Sequence, residues 1–183
     1  MTDVTVHIRP ETAADFPAVR ELVTAAFGRA DEARLVERLR DCDAYIPELA
    51  LTAASADGEG EEIVGHLLLT RLPIRLDRGG SVIALALAPV AVRPDRQREG
   101  VGSALVGQAL ERAADLGFGA VIVLGHPSYY PRFGFLPGGA FGVRCPFDVP
   151  GEAFMARELV PGALRECEGM VVYARAFMEE EPA

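Results

Sequence analysis

The stretch from Val82 to Leu124 restricts the folds open to this chain more than any other. Val82 to Val92 is an apolar run that reads as a buried strand. Val101 to Leu116 then places Val101, Leu105, Ala109, Ala113 and Leu116 on one helical face and Gln108, Glu111, Arg112 and Asp115 on the other. Gly117 closes that helix, and Gly119 to Leu124 is a short, wholly apolar strand of the central parallel type. Strand, crossover helix and parallel strand form a right-handed unit.

Two features of this unit point to a ligand. The first turn of a helix carries N–H groups without helical partners at the positive end of its dipole, and glycine allows close backbone approach. The turn Gln97-Arg98-Glu99-Gly100-Val101-Gly102-Ser103 therefore reads as an anion socket, suited to a phosphate. Pro89 cannot donate to a sheet ladder and marks an edge, a bulge or the end of pairing. Such a break leaves the backbone groups of Val90, Ala91 and Val92 free to bond a ligand beside the strand.

Around this unit, Thr5 to Arg9 reads as a strand, with His7 half-exposed. A helix capped by Asp15, with Pro17 in its first turn, runs to Gly28 and turns Phe16, Val19, Val23, Ala26 and Phe27 inward. A second helix from Ala30 to Arg40 puts Leu35, Val36 and Leu39 on one face. Glu48 to Ala54 and Glu62 to Leu76 form a hairpin across Asp57-Gly58-Glu59-Gly60. His66 on its second strand faces inward or into a cleft, as a base or as a hydrogen-bonded structural histidine. Beyond Leu124 comes a short helix and loop dense in aromatics, then strands over Gly138 to Cys145, Ala153 to Leu159 and Met170 to Phe177. A short helix spans Pro161 to Glu166, and Glu179-Glu180-Glu181 is a frayed tail.

The 183 residues, half of them apolar, suffice for one domain with a full core. The sequence shows neither a membrane-length apolar run nor a secretory signal layout, so a soluble, cytoplasmic protein is expected. The three cysteines are widely spaced and lack metal-ligand spacing, so thiols are expected rather than disulfides, and no metal. A net charge of −9 disfavours a nucleic-acid surface and favours a cationic substrate such as an amine. All 18 basic residues are arginine, so the chain holds no lysine of its own.

Known phosphate loops can be compared directly. A Walker A loop needs a lysine where Gly102 is followed at once by Ser103. A dinucleotide fingerprint needs a glycine where Leu105 stands, and an acidic residue that the next strand lacks. A ligand-free turn remains open on these grounds alone. The residues do, however, resemble the GNAT superfamily of N-acetyltransferases, whose coenzyme A loop reads Q/R-x-x-G-x-G/A after V-x-P. Here Val92-Arg93-Pro94 leads to Gln97-Arg98-Glu99-Gly100-Val101-Gly102. The family's aromatic motif Y-x-x-x-G-F is matched by Tyr130-Pro131-Arg132-Phe133-Gly134-Phe135, in order and at the right distance. Leu124 to Phe135 is similar to a bacterial subgroup motif L-G-D-P-x-x-Y-x-R-F-G-F, with His126 in place of the aspartate, and Arg9-Pro10 before a helix fits the family's start.

The resemblance implies an α/β fold of mixed α+β kind: one mixed, mostly antiparallel sheet of about seven strands, its fourth and fifth strands splayed, flanked by helices. It implies one domain over 1–183, with the acetyl-CoA loop at 90–103, the acid motif at 125–135, C-terminal strands at 138–177 and the tail at 178–183. It further implies acetyl transfer from acetyl-CoA, as cosubstrate, to an amine of a small molecule or peptide in a ternary complex. The expected cofactor residues are Val90, Ala91 and Val92 along the pantetheine arm and Gln97, Arg98, Glu99, Gly100, Val101, Gly102 and Ser103 at the pyrophosphate. Tyr130 is the expected general acid for the departing thiolate, the alternative being a packing role, and Tyr129 is expected in the core or at the rim. No nucleic acid or membrane partner is expected, and the chain is compatible with a monomer or a homodimer. A catalytically silent acyl-CoA-binding domain and a transferase of longer acyl groups are the competing readings.

Many relatives carry a glutamate base on the fourth strand, whereas Val82 to Val92 has no ionisable side chain. Deprotonating a lysine-like amine at pH 7 costs roughly 4.6 kcal/mol, and an α-amino group only about 1 kcal/mol. Low-pKa amines are thus the easier acceptors, unless a water relay or His126 takes the proton; a loop-anchoring role is the alternative for His126.

Overall fold

The computed structural model describes residues 6–55 and 60–178. β1 (Val6–Pro10) is followed by α1 (Phe16–Phe27), α2 (Asp31–Arg40), β2 (Tyr45–Ser55), β3 (Glu62–Leu76) and β4 (Ser81–Val92). Next come α3 (Val101–Asp115), β5 (Ala120–Leu124), β6 (Leu136–Pro137), β7 (Val143–Arg144), β8 (Phe154–Glu158) and β9 (Gly169–Val171). The strands form one sheet in the order β1-β2-β3-β4-β5-β8-β6, with β9 paired to both β3 and β7. Thr5, most of the turn between β2 and β3, and the acidic tail lie outside the described residues.

The crossover unit forms as its apolar pattern dictates. β4 and β5 pair in parallel at Leu85–Val121, Ala86–Ile122 and Leu87–Val123. α3 buries Val101, Leu105, Val106, Ala109, Leu110 and Ala113 against Leu51, Ala53, Leu67 and Leu69 of β2 and β3. Leu116, expected inward, is instead 47 % exposed, because it caps the helix just beyond its last turn.

The N-terminal helices cover the sheet beside β3 and β4, with Val19, Val23, Ala33 and Val36 packed on Ala91. Asp15 does not cap α1 through its side chain. Its carboxylate instead accepts the Thr12 N–H at 2.7 Å and the Arg9 guanidinium at 2.7 and 3.0 Å. α2 is anchored at its far end by a buried polar cluster. The Glu11 carboxylate accepts from Arg40 Nε and NH2 at 2.9 and 2.8 Å and from the Tyr45 hydroxyl at 2.8 Å, and lies 3.0 Å from His66 Nε2. Burial pushes the Glu11 carboxyl up, but the hydrogen bonds and charges of His66 and Arg40 together outweigh it and bring its pKa down to about 2.

The sheet has nine strands among the described residues rather than about seven, because the C-terminal third is more broken than its composition suggests. Over 138–145, a 3-10 turn at Gly138–Phe141 and a left-handed Gly142 (φ 70°) leave only the two residues of β7 extended. Met170 to Phe177 is extended only through Val171, after which Tyr173 leaves the sheet to pack against Phe147 and Phe177 at centroid distances of 5.2 Å. Pro161 to Glu166 forms turns rather than a helix.

Candidate active site

Pro89 decides the shape of the sheet's centre. The last parallel pair is Leu87–Val123, and the β3 ladder shifts register opposite the Ala88–Pro89 bond, which is cis. β4 therefore continues as Val90 to Val92 with no β5 partner on that side. The Arg93 N–H donates to Val64 C=O at 2.9 Å, so alternation along the ladder turns the backbone of Ala91 toward His66 of β3. Val90 and Val92 then face the gap. The expectation of three free residues is corrected on this point: Ala91 is held in the ladder, and its methyl is buried under α1 and α2.

A recess of about 470 Å³ lies on one side of the gap, at the start of α3. Gly100 stands at the helix N-cap with φ 90°, and the first helical bond runs from Ala104 N–H to Gly100 C=O at 2.9 Å. Val101, Gly102 and Ser103 thus supply the first-turn N–H groups, in a conformation suited to an anion. A Cβ on Gly102 would meet the Tyr129 hydroxyl at 3.3 Å and a Val92 methyl at 3.5 Å, so glycine there keeps the recess open. Gln97 donates from Nε2 to Val92 C=O at 3.1 Å, tying the loop to the end of β4.

Of the expected loop residues, Val92, Gln97, Arg98, Gly100, Gly102 and Ser103 border the recess. Val101 projects into the core and contributes its backbone alone. The Glu99 carboxylate is turned to Arg96 at 2.7 Å and does not line it. Two residues on the recess wall were not singled out for this role from sequence: Tyr129, half-buried with its hydroxyl 3.4 Å from Ser103 Oγ, and Arg132, whose guanidinium lies 4.5 Å from the Tyr129 ring centroid. Their signal was present in the aromatic motif itself.

On the other side of the gap is a cavity of about 420 Å³. Val90, Gly125, His126 and Tyr130 border it from the strand ends. Tyr130 is buried, packed edge-on to Tyr129 and Phe135 at centroid distances of 5.1 and 5.7 Å. Burial, with a smaller effect of Tyr129, pushes the Tyr130 phenol up to about 12, so it holds its proton throughout the neutral range. His126 is exposed, and its carbonyl accepts the N–H groups of Tyr129 at 3.0 Å and Tyr130 at 3.4 Å. Its backbone thus holds the turn that carries both tyrosines, and the residue borders the cavity.

The remaining wall comes from the N-terminal helices and the C-terminal third: Phe27, Glu32 and Leu35 from one, Phe147, Tyr173 and Phe177 from the other. His66 borders neither recess; its side chain is fully buried against Glu11, which makes it the structural histidine of the two alternatives.

A family model described as an acetyltransferase (GNAT) domain matches residues 7–138. The chain belongs to the GNAT acetyltransferase family. The enzyme is 38 % identical over 149 residues to the uncharacterized N-acetyltransferase YjhQ of Escherichia coli K12, covering 81 % of this chain and 78 % of that protein. It is 30 % identical over 170 residues to the uncharacterized N-acetyltransferase YhbS of the same strain, covering 93 % and 97 %. The crystal structure of Escherichia coli YhbS in complex with CoA superposes at a TM-score of 0.86 with 27 % identity, over 96 % of this chain and 93 % of that one. A GNAT family acetyltransferase from Brucella melitensis in complex with acetyl-CoA gives 0.73 and 27 %, over 95 % and 99 %. This acetyltransferase thus has the mixed, mostly antiparallel GNAT sheet with its parallel β4–β5 pair.

Proposed function

We propose that this acetyltransferase moves the acetyl group of acetyl-CoA to the neutral nitrogen of a primary amine, both substrates bound at once, with Tyr130 as the general acid. The observation that carries the reading is the placement of Tyr130: a buried, protonated phenol on the wall of a cavity that meets the open end of β4. Acetyl-CoA supplies an activated acetyl group and leaves as the free thiol. The first-turn N–H groups of Val101 to Ser103, with Arg98 and Arg132, hold the pyrophosphate, each charge-assisted bond being worth roughly 1.5 to 3 kcal/mol. The gap-facing backbone of Val90 and Val92 bonds the pantetheine arm as an added strand would.

The proton balance runs through two side chains. A carbon–nitrogen bond forms as the carbon–sulfur bond breaks; Tyr130 Oη gives its proton to the sulfur, and the amine nitrogen loses one to His126 at the cavity edge or to water. Tyr130 is reprotonated from solvent and His126, where it has taken the amine proton, gives it up to solvent, so the enzyme ends as it began. A positioned acid contributes about 10² to 10⁴ in rate, and holding both reactants together up to about 7 to 11 kcal/mol. The test is thiol release from acetyl-CoA across a panel of primary amines, with both substrates varied. Intersecting initial-rate lines and an acetylated product support a ternary complex; parallel lines, or tight acetyl-CoA binding without thiol release for any amine, overturn the reading.

A further inference from the structure

The cavity beyond Tyr130 has walls that restrict what can enter. Phe27, Tyr130, Phe147, Tyr173 and Phe177 give it five aromatic rings, and its volume of about 420 Å³ lies within the usual range for a small-molecule site. Phe147, Tyr173 and Phe177 form a continuous wall of ring contacts. Phe27 and Leu124, both on this wall, are 41 % and 40 % exposed, so apolar surface at the cavity mouth is open to an incoming ligand. Glu32 is the one acidic residue on the wall among the described residues.

Glu32 is charged and reachable. It sits in the first turn of α2 with its side chain 16 % exposed, and its partner Arg29 is 64 % exposed. The hydrogen bonds from Arg29 hold the Glu32 carboxyl below the ordinary carboxylate range, so it is an anion at neutral pH and a poor base. Arg29 is itself largely solvated, so an incoming cation can share the Glu32 carboxylate with it. The negative net charge of the chain likewise favours a cationic ligand.

We propose, resting on the acetyl-transfer reading above, that this cavity selects a primary amine with an apolar, ring-sized body and no carboxylate near its nitrogen, Glu32 meeting the ammonium on entry. Glu32 acts here as a binding residue; the nitrogen releases its proton before attack, and low-pKa amines do so at least cost. A free amino acid brings a carboxylate toward Glu32 and is rejected, whereas the corresponding amide is accepted.

Two separate readouts test this. Calorimetry on the CoA-loaded enzyme is expected to show L-phenylalaninamide binding at least tenfold tighter than glycinamide, which lacks the ring, and than L-phenylalanine, which adds the carboxylate. Glu32→Gln is expected to weaken L-phenylalaninamide at least tenfold and to erase its advantage over L-phenylalanine. Arg29→Ala, which breaks the same ion pair while leaving the carboxylate, is expected to tighten it severalfold. That opposite sign separates ligand binding from a structural role of the pair. Equal or tighter binding of glycinamide or L-phenylalanine, no binding of any of the three, or loss with both variants overturns the proposal, even where thiol release shows that some other amine is acetylated. The predicted binding order without thiol release for any amine leaves the selectivity standing and overturns acetyl transfer.

Discussion

Gly125 supports the catalytic assignment in a way that can be tested by adding a single methyl group. A Cβ built at position 125 lies 2.4 Å from Tyr130 Cε2 and 3.0 Å from Cδ2. Carbon atoms settle at about 3.5 Å or more, so the ring has to retreat by about 1.1 Å. Gly125 is outside the left-handed region, and the backbone therefore tolerates alanine. The ring is wedged by Tyr129 and Phe135, so it moves as a unit and takes its hydroxyl away from the end of the gap. A 1 Å misplacement of a reacting group can cost about 10²-fold, equivalent to about 2.7 kcal/mol. Gly125→Ala is thus expected to lower kcat about 100-fold, measured as thiol release at saturating acetyl-CoA, while CoA affinity holds, because the loop at 97–103 is untouched. The overpacking itself costs about 1 to 3 kcal/mol of stability, visible as a lower but still cooperative melt. Added to Tyr130→Phe, the change should cause little further loss, because both act on the same hydroxyl. A Gly125→Ala enzyme within threefold of the parent kcat would show that turnover does not depend on where the Tyr130 hydroxyl sits.

Other consequences are equally direct. The raised Tyr130 pKa means that kcat/KM should climb with pH as the amine loses its proton and show no falling limb between about pH 6 and 10; a downturn near 8 to 9 would contradict a phenol held near 12. Arg132→Ala should raise the KM for acetyl-CoA about tenfold or more with little effect on kcat, and an unchanged KM would remove Arg132 from the phosphate site. Glu11→Ala leaves the Arg40 guanidinium and His66 buried without their anion, at a cost of about 3 to 5 kcal/mol, or roughly 6 to 20 °C in Tm. Because the folded pKa of Glu11 is depressed to about 2, its contribution is full above its unfolded value near 4.5 and fades as pH falls toward 2. An acid-denaturation curve that does not differ between the parent and Glu11→Ala in that window would contradict this linkage.

What could be read from the sequence was local. The turn that opens α3 depends on a strand end, two glycines and a helix start within a dozen or so residues, and the gap in the sheet depends on Pro89; both were legible for that reason. The cavity was not, because Phe27 and Glu32 meet Phe147, Tyr173 and Phe177 only once the chain has folded back across the sheet. Apolar residues there looked like strand or helix core, yet Phe27 is exposed on the wall and Tyr173 divides its ring between the core edge and the cavity. The cluster at Glu11 was hidden for the same reason: its link to His66 spans 55 positions, and Glu11 alone looks like an ordinary residue after a strand. The C-terminal strands were overestimated for two reasons: glycines cut the run at 138–145, and the glycine-free run from Met170 leaves the sheet after Val171, where Tyr173 turns to ring contacts with Phe147 and Phe177.

Whether Tyr130 gives its proton to the departing thiol is read from the turnover of Tyr130→Phe. Removing only the hydroxyl leaves the ring packing against Tyr129 and Phe135 in place. Thiol release is expected to fall at least tenfold with the acetyl-CoA KM little changed; turnover equal to that of the parent enzyme, with any amine that the parent acetylates, would rule Tyr130 out as the acid.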